Sequence, residues 1–339
     1  MKAKLIKPDE GLAYDITEAC SSVTWSGSVL QASRSVELDY INAPYDTRLK
    51  IPPIATGNYL SVEDQTVEIF WGQFFGSEVN GQTGTITHLA RDPMKCLLES
   101  TGKYNFKNVT PEAVAAQVCA DVQMPVGELA ATGINIKSML CNDKAIYDII
   151  MGGYTQAYRM TGKRYLAYII NRKLSIIEQN VILGGGYYLS DQLNITDASV
   201  QEKADEIINS VRIYNSKGKQ IGEVRDEDSI RRWGVYQSTY DQEKGVDAHT
   251  AAKNMLKIKP EQTIMVSGIG DINCISGRGV VVKDGATGLS GLYWIKSDKH
   301  IWSGGTYTME LELTFDKLMD EMEIEVETEK RKGGSHECI

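Results

Sequence analysis

Residues 12–90 alternate apolar and polar side chains in a way that is typical of half-buried strands. Residues 35–42, Ser-Val-Glu-Leu-Asp-Tyr-Ile-Asn, place every second side chain on the same face. Four further short segments are rich in β-branched and aromatic residues and are also predicted to be strands: 13–17, 21–27, 67–72 and 84–90. Residues 44–59 contain Pro52, Pro53 and Gly57 and are predicted to form a loop. Antiparallel strands at this spacing predict a small barrel or sandwich.

The apolar spacing becomes helical after this region. Asp92 and Thr110, each followed by proline, predict two helix starts. Asp143 is predicted to cap a third helix, in which apolar residues recur three or four positions apart. Two strands around a short polar turn are predicted next, at 165–171 and 173–178. Residues 91–180 are therefore predicted to form an α+β unit.

The last part of the chain is predicted to be mostly β again. A hairpin is expected at 211–224, followed by a short polar segment at 228–236 and a helix at 247–258. Four more strands are predicted, at 262–268, 279–283, 291–297 and 306–315. Beyond them come an amphipathic acidic segment at 315–326 and a polar tail at 330–339.

These patterns predict a mainly β fold with an α+β insert between two β-barrel domains. The first barrel occupies residues 1–90 and is completed by strands within 180–225. The insert occupies 91–180, the second barrel 200–316, and the acidic segment with the polar tail 317–339. A chain of 339 residues has room for such an arrangement.

Composition narrows the class of protein. Hydrophobic residues make up 42% of the chain and charged residues 24%, which are values of a folded protein. A net charge of −9 argues against a protein that grips nucleic acid, because phosphate binding needs a basic face. No apolar run is long enough to span a membrane, and the first residues lack the apolar core of a signal peptide. The six cysteines include no C-x-x-C pair and are predicted to be reduced core residues.

Searches for reactive constellations give no enzyme site. Gly184–Gly186 and the glycines at 268–279 lack the spacing and the following helix of phosphate-binding loops. The four histidines form no metal motif, and His88 and His300 are predicted to be hydrogen-bonded structural residues within or beside strands. No nucleophile motif is present, and Asp226 with Asp228 lies in a polar turn. We therefore expect no catalytic residue, no metal and no cofactor, and a function that resides in surfaces.

Tryptophans and acidic residues are the candidate contact residues. Trp25 and Trp71 are predicted to be core residues, because each lies within a strand. Trp233 and Trp302 lie close to glycines in predicted polar loops, where a large aromatic side chain favours an interface role. The predicted interface residues are Trp233, Trp302, Asp316, Glu321 and Glu325. The alternative for the acidic positions is a solvated terminus.

Several segments, in order, resemble one family of proteins. Residues 90–100, Ala-Arg-Asp-Pro-Met-Lys-Cys-Leu-Leu-Glu-Ser, precede Lys-Tyr-Asn-Phe-Lys-Asn-Val-Thr at 103–110. Further matching segments lie at 160–165, 173–176, 229–234 and 291–311. In this order they resemble the XkdQ/YqbQ family of phage-like tail proteins, which are similar to late control protein D and to baseplate hub proteins of contractile tails. The resemblance covers roughly residues 10–316, and its strength lies in the order of the segments.

The resemblance implies a structural baseplate hub with two tube-protein-like barrels. A homotrimer would present six barrels and adapt the sixfold tail tube to a threefold spike. It implies as partners the tail tube or a tube-initiator protein, the central spike, the tape-measure protein and baseplate wedge components, with no membrane. The implied location is the tail tip of a virion or phage-tail-like bacteriocin assembled in the host cytoplasm. Three copies at −9 would let passing DNA slide if the acid faces the channel, although simple solubility explains an acidic surface equally well.

Three rival functions remain open. A tail-associated peptidoglycan hydrolase would need a catalytic centre, and we expect no hydrolase domain because about twenty residues follow the predicted second barrel. A VgrG-like secretion spike hub would usually carry a long β-helical spike after residue 316. A tail tube subunit needs one barrel, whereas this chain is predicted to have two.

Overall fold

The N-terminal β region consists of seven strands, seen in a computed structural model that describes residues 1–43, 46, 48, 50–82, 84–242 and 247–324. The strands are β1 (Lys2–Lys7), β2 (Leu12–Asp15), β3 (Cys20–Ser28), β4 (Gln31–Ile41), β5 (Tyr59–Asp64), β6 (Val67–Asn80) and β7 (Thr85–Arg91). Two short 3-10 helices, Pro8–Glu10 and Thr17–Ala19, lie among them. The predicted alternation in β4 is confirmed, since Val36 and Leu38 are buried while Glu37 between them is exposed. Strands β1 and β5 were not predicted.

The middle region has helices on strands. Its elements are α1 (Met94–Glu99), β8 (Thr101–Val109), α2 (Pro111–Asp121), β9 (Val126–Leu129), β10 (Ile136–Ala145), α3 (Ile146–Thr161), β11 (Tyr165–Ile170) and β12 (Lys173–Glu178). The Asp92 carboxylate accepts a hydrogen bond from the Met94 amide at 3.1 Å, and the Thr110 hydroxyl accepts one from the Ala113 amide at 3.4 Å. The predicted start at Thr110 is therefore confirmed, whereas α1 begins at Met94, one residue later than predicted, with Pro93 in the N-cap position.

The predicted cap at Asp143 is wrong. Asp143 lies inside β10 with a positive φ of 50°, at a register shift in the pairing of β10 with β8. The strand continues to Ala145, and α3 begins at Ile146 without a side-chain cap. The irregular residue extends the strand up to the helix, so the polar side chain there does not mark the helix start.

The last region of the described chain adds nine strands and two helices. They are β13 (Leu189–Ser190), β14 (Ile195–Lys203), β15 (Ser210–Tyr214), β16 (Gln220–Arg225), α4 (Glu227–Trp233), β17 (Gln237–Asp241), α5 (Ala248–Asn254), β18 (Glu261–Ile269), β19 (Gly279–Asp284), β20 (Leu289–Ser303) and β21 (Thr306–Thr314). The predicted polar segment at 228–236 is mostly helix α4, which Asp226 caps by accepting from the Ser229 amide at 2.8 Å. The predicted helix at 247–258 is shorter and ends at Asn254.

One large sheet contains strands from both ends of the chain. Its 13 strands run in the order β14-β18-β21-β20-β3-β4-β7-β6-β5-β1-β2, and β19 pairs with both β20 and β13. Antiparallel pairing of β20 with β3, which sets His300 opposite Trp25, joins the C-terminal and N-terminal strands. The fold is therefore mainly β, as predicted, while its division into two barrels stays a prediction.

Contacts divide the chain into two units. The larger contains Met1–Ala198 and Met265–Ile339, and the smaller is Ser199–Ile264. The larger unit has one core between the helices and sheets of the middle region and another on the inner face of the large sheet. The smaller has a three-stranded sheet, β16-β15-β17, and packs Ala252 of α5 on Val211 and Ile213.

Candidate functional surfaces

A buried ionic cluster lies in the larger unit. Arg34 of β4 donates from Nη1 to Oδ1 of Asp298 on β20 at 3.0 Å, and its second nitrogen contacts the other carboxylate oxygen. The Ser276 amide donates to the same carboxylate at 2.6 Å, and the Arg34 guanidinium lies 4.0 Å from the centre of the Trp25 ring. Burial alone would raise the pKa of Asp298, but Arg34 and His300 together lower it well below its usual range. The cluster ties strands from the two ends of the chain together.

An aspartate, a histidine and a serine lie near one another here: Asp298, His300 and Ser276. Their hydrogen bonds go to neighbouring residues of the core and do not form a catalytic triad. His300 is fully buried, its Nδ1 lies 2.9 Å from the Tyr307 hydroxyl, and its Nε2 lies 3.2 Å from the Cys274 carbonyl oxygen. The Ser276 hydroxyl accepts from Arg34. This arrangement engages the ring nitrogens within the core, so the predicted hydrogen-bonded role of His300 is confirmed.

His88 differs from this prediction. It is buried between Tyr40 and Phe74, both of which present a ring edge-to-face to the imidazole. Its Nε2 has no hydrogen-bond partner among the described residues, so the predicted bonded role is wrong at that atom. Burial lowers the pKa of His88, which favours the neutral ring.

A cleft of about 680 Å³, within the usual range of ligand-sized pockets, separates strand β6 from helix α1. One wall is a stack in which Tyr59 lies against Trp71 at 5.2 Å between ring centres. The guanidinium of Arg172 lies 3.7 Å from the centre of the Trp71 ring and donates to Glu68. Burial alone would raise the pKa of Glu68, but Arg172 and Ser61 lower it overall. Sequence reasoning assigned Trp71 to the core, whereas it is partly exposed on this wall.

The opposite wall comes from α1 and from the turn after α2. The cleft is lined there by Lys95 and Cys96 of α1 and by Met124 and Pro125, and Arg91 lines it as well. Aromatic, sulfur-containing and cationic side chains in one groove are typical of protein contact surfaces. The cleft could not be predicted from the sequence, because its lining residues come from segments separated by up to about a hundred positions.

Trp233 ends helix α4 in the smaller unit and is partly exposed. The guanidinium of Arg232 lies 4.9 Å from the centre of its ring. Val235 and Tyr236 follow and are at least half exposed. Buried Asn209 fixes this loop, donating to the Gly234 carbonyl and accepting from the Tyr236 amide, both at 2.8 Å. The loop therefore presents apolar side chains on a backbone held in one conformation.

The other candidate contact residues have different environments. Trp302 is 9% exposed and stacks on Tyr307 at 4.4 Å in the core of the large sheet, so this chain itself covers it. Trp25 is also in that core, as predicted. Asp316 and Glu321 are exposed, and Glu325 lies outside the described residues. The segment that carries them, up to Ile324, lies along helix α3 of the same chain.

An aliphatic patch on β19 and β20 was not predicted. Val281 and Leu292 face each other across the two strands and are about two-fifths exposed. Val181 and Ile182 are similarly exposed, and Ile182 pairs with Gly279, the first residue of β19, in an isolated bridge. Exposed apolar residues that adjoin across a sheet form a candidate contact surface.

The described residues contain no group of three His, Cys, Asp or Glu side chains arranged to bind a metal ion. In the same residues, no helix combines the length and the apolar character needed to cross a membrane. Cys119, Cys141 and Cys274 are buried free thiols, as predicted, whereas Cys96 is exposed. Burial raises the pKa of Cys119 and Cys141 to about 11, which favours protonated, unreactive thiols.

Comparison with known proteins identifies relatives over most of the chain. A family model described as YQBQ-like matches residues 23–314. The phage-like element PBSX protein XkdQ of Bacillus subtilis is 24% identical over 321 residues, which are 88% of this chain and 94% of that protein. The uncharacterized protein YqbQ of the same bacterium is 26% identical over 91% of this chain and 95% of its own length.

Solved structures share the fold. The 43 kDa tail protein of prophage MuSo2 from Shewanella oneidensis has a TM-score of 0.69 and 16% identity, covering 93% of this chain and 98% of its own. A tail protein from Neisseria meningitidis has a TM-score of 0.60 and 12% identity over 92% and 95%. A chain of the Francisella PdpA–VgrG complex has a TM-score of 0.57 and 9% identity, covering 95% of this chain and 59% of that one.

Proposed function

Because this chain belongs to the YQBQ-like family, we propose that it is a structural protein of a phage or phage-like tail. The observation that carries the proposal is the full-length likeness to the MuSo2 prophage tail protein, which covers 98% of that chain. The buried ionic cluster is consistent with this proposal, because Arg34 and Asp298 pair with each other in the core and are not open to a substrate. The protein would work as a rigid part of the tail.

More specifically, the protein is the baseplate hub, present as a homotrimer. Each chain contributes an N-terminal and a C-terminal β region on either side of the middle α/β elements. Three copies would supply six such regions, which would adapt a sixfold tail tube to a threefold spike. A cyclic trimer needs two different, complementary surfaces on each copy. We assign two surfaces to the trimer contacts. One is the exposed aliphatic patch of Val281 and Leu292, and the other is the loop from Trp233 to Tyr236, called the Trp233 loop.

The hub would contact the tail tube or a tube-initiator protein on one side and the central spike on the other. The tape-measure protein and baseplate wedge components would also contact it. Its location is the baseplate of a virion or phage-tail-like particle, assembled in the host cytoplasm. The cleft beside Trp71 is suited to an extended segment of one of these partners.

The distribution of charge supports passage of DNA without tight binding. Residues 199–264 contain eleven acidic and eleven basic side chains, so the net charge of −9 belongs to the larger unit. If the larger units face the channel of the trimer, their acid would repel phosphate. A basic channel lining would rule this out.

A VgrG-like secretion spike hub is the second candidate function. The fold likeness to a chain of the PdpA–VgrG complex favours it. A hub of that kind would co-purify with secretion-system components, whereas a tail hub would co-purify with tail tube and baseplate proteins.

The proposal is tested by counting copies in purified particles. Quantitative mass spectrometry with isotope-labelled peptides should give one copy of this chain per copy of a trimeric spike protein. Two copies per spike chain, or absence of the chain from particles, would overturn the hub. The hydrolase alternative is tested by incubating the protein with peptidoglycan, where turnover abolished by a single carboxylate or thiol substitution would contradict the structural function.

A further inference from the structure

The segment after β21 is extended and lies along helix α3. Met319 is buried in the core of the middle region, and Met322 and Ile324 pack against the same core. Glu321 and Glu323, on either side of Met322, are exposed. From Asp320 to Ile324 less exposed and exposed positions alternate, so this part of the segment presents one side to the helix although it has no partner strand.

Three polar contacts fix the position of the segment. The Tyr147 hydroxyl donates to Oδ2 of Asp320 at 3.0 Å, and the Met322 amide donates to the buried Thr155 hydroxyl at 3.1 Å. Arg159 binds the Glu323 carboxylate through two nitrogens. The helix residues lie eight and four positions apart, which places them on one face of α3. Both the backbone and the side chains of the segment are therefore recognised.

Gly152 lies between these contacts and explains a weakness in the helix. Glycine in a helix interior costs about 1 kcal/mol relative to alanine. A Cβ at position 152 would collide with the side chain of Ile324, whereas a Cβ at Gly153 would lie at an ordinary 3.5 Å from Pro111. The missing side chain at Gly152 thus leaves the space that Ile324 occupies. Gly153, the next residue of the same helix, is the control position for substitution by alanine.

We propose that the face of α3 around Gly152 is a peptide-docking groove and that residues 317–324 of the same chain are its ligand. The groove selects an extended segment with an aliphatic side chain over Gly152 and carboxylates one and four positions before it. Docking clamps the chain that leaves β21 onto the middle region. The segment belongs to none of the sheets, so the part beyond the buried Met319 can leave α3 while the sheets stay paired.

Hydrogen exchange on the full-length protein tests this proposal. We expect Gly152→Ala to speed amide exchange in 318–324 by about tenfold, the factor expected when one added methyl group overpacks a contact. Tryptic release of the fragment beginning at Leu318 should accelerate in parallel. Gly153→Ala should leave both rates within about twofold of wild type, since alanine there strengthens the helix and meets only ordinary contacts.

Ile324→Ala supplies the second test. This change should weaken docking by itself, and adding Gly152→Ala to it should have little further effect, because the side chain that collides with residue 152 is gone. Equal exchange in wild type and Gly152→Ala would overturn the proposal. So would an undiminished effect of Gly152→Ala in the Ile324→Ala background, or loss of protection throughout α3. Protection that falls on dilution would also overturn it, since it would mean that the groove holds the segment of a second copy.

Discussion

Arg34 and Asp298 lie 264 positions apart in the chain and form a buried, two-pronged ion pair. The Asp298 side chain is fully buried, and that of Arg34 is 12% exposed. Each charge compensates the cost of removing the other from water, so neither side chain can be lost alone without penalty.

We predict that Asp298→Asn and Arg34→Met each lower the free energy of unfolding by about 3–5 kcal/mol, because each leaves an uncompensated buried group. The control is Lys299→Met, at the residue after Asp298 on β20. It removes an exposed pair with Glu310 on β21 and should cost less than about 1 kcal/mol. Urea denaturation followed by tryptophan fluorescence measures these values. Equal, small losses for all three variants would show that the buried pair has no special weight.

Asp92 should make stability depend on pH. Burial raises the pKa of its carboxyl to about 6, although Ser33, Arg34 and Met94 all donate hydrogen bonds to it. The folded state therefore binds a proton more tightly than the unfolded state, and this contribution to stability is lost as the pH rises through about 6.

The variant Asp92→Asn cannot titrate at this position. From pH 4 to pH 7 the unfolding free energy of wild type should fall relative to this variant by about 2 kcal/mol. Denaturation series at four pH values give this difference, in which the other carboxyl groups cancel. A difference that stays constant, or that grows as the pH rises, contradicts the prediction.

Gly277 should tolerate no side chain. Its φ is +91°, and an added Cβ would meet Leu166 and the hydroxyl of Tyr168. Gly288 has a similar φ of +74° but open space around it. We predict that Gly277→Ala destabilises the protein by about 2 kcal/mol more than Gly288→Ala, because both share the backbone strain and only the first overpacks the core. Thermal unfolding with calorimetry compares the two, and equal losses would mean that strain alone matters.

Substitution of Trp302 should affect stability, whereas substitution of Trp233 should affect incorporation into tail particles. Trp302→Ala opens a cavity in the large-sheet core and should lower the free energy of unfolding by about 3–5 kcal/mol. Trp233→Ala, at a partly exposed residue, should leave stability within about 1 kcal/mol of wild type but reduce incorporation into tail particles. Denaturation and immunoblots of purified particles measure the two effects. Normal incorporation of the Trp233→Ala variant would show that the Trp233 loop is not part of the interface.

Local signals allowed much of the fold to be predicted. The hairpin of β11 and β12 followed from two strand-like segments around a short polar turn, where Asn171 and Arg172 have positive φ. The cap at Thr110 followed from a residue type whose side chain can accept from a nearby amide, here that of Ala113. Asp143 failed as a cap because an acidic residue can equally occupy an irregular strand position.

The remaining features depend on contacts between distant segments. Pairing of β20 with β3 joins residues about 270 positions apart, and no local pattern reports it. Glycine at position 152 disfavours a helix, and its role becomes visible only with Ile324 in place. The cleft beside Trp71 likewise needs β6, α1 and the β11–β12 turn together.

The most direct test of the hub assignment is a cryo-EM map of the assembled tail tip. We predict three copies of this chain around the tail axis, between the last ring of the tube and the spike, with the β regions of each copy occupying two of six equivalent positions. Six copies in a tube-like ring, or copies placed outside the axis of the tail, would contradict the account.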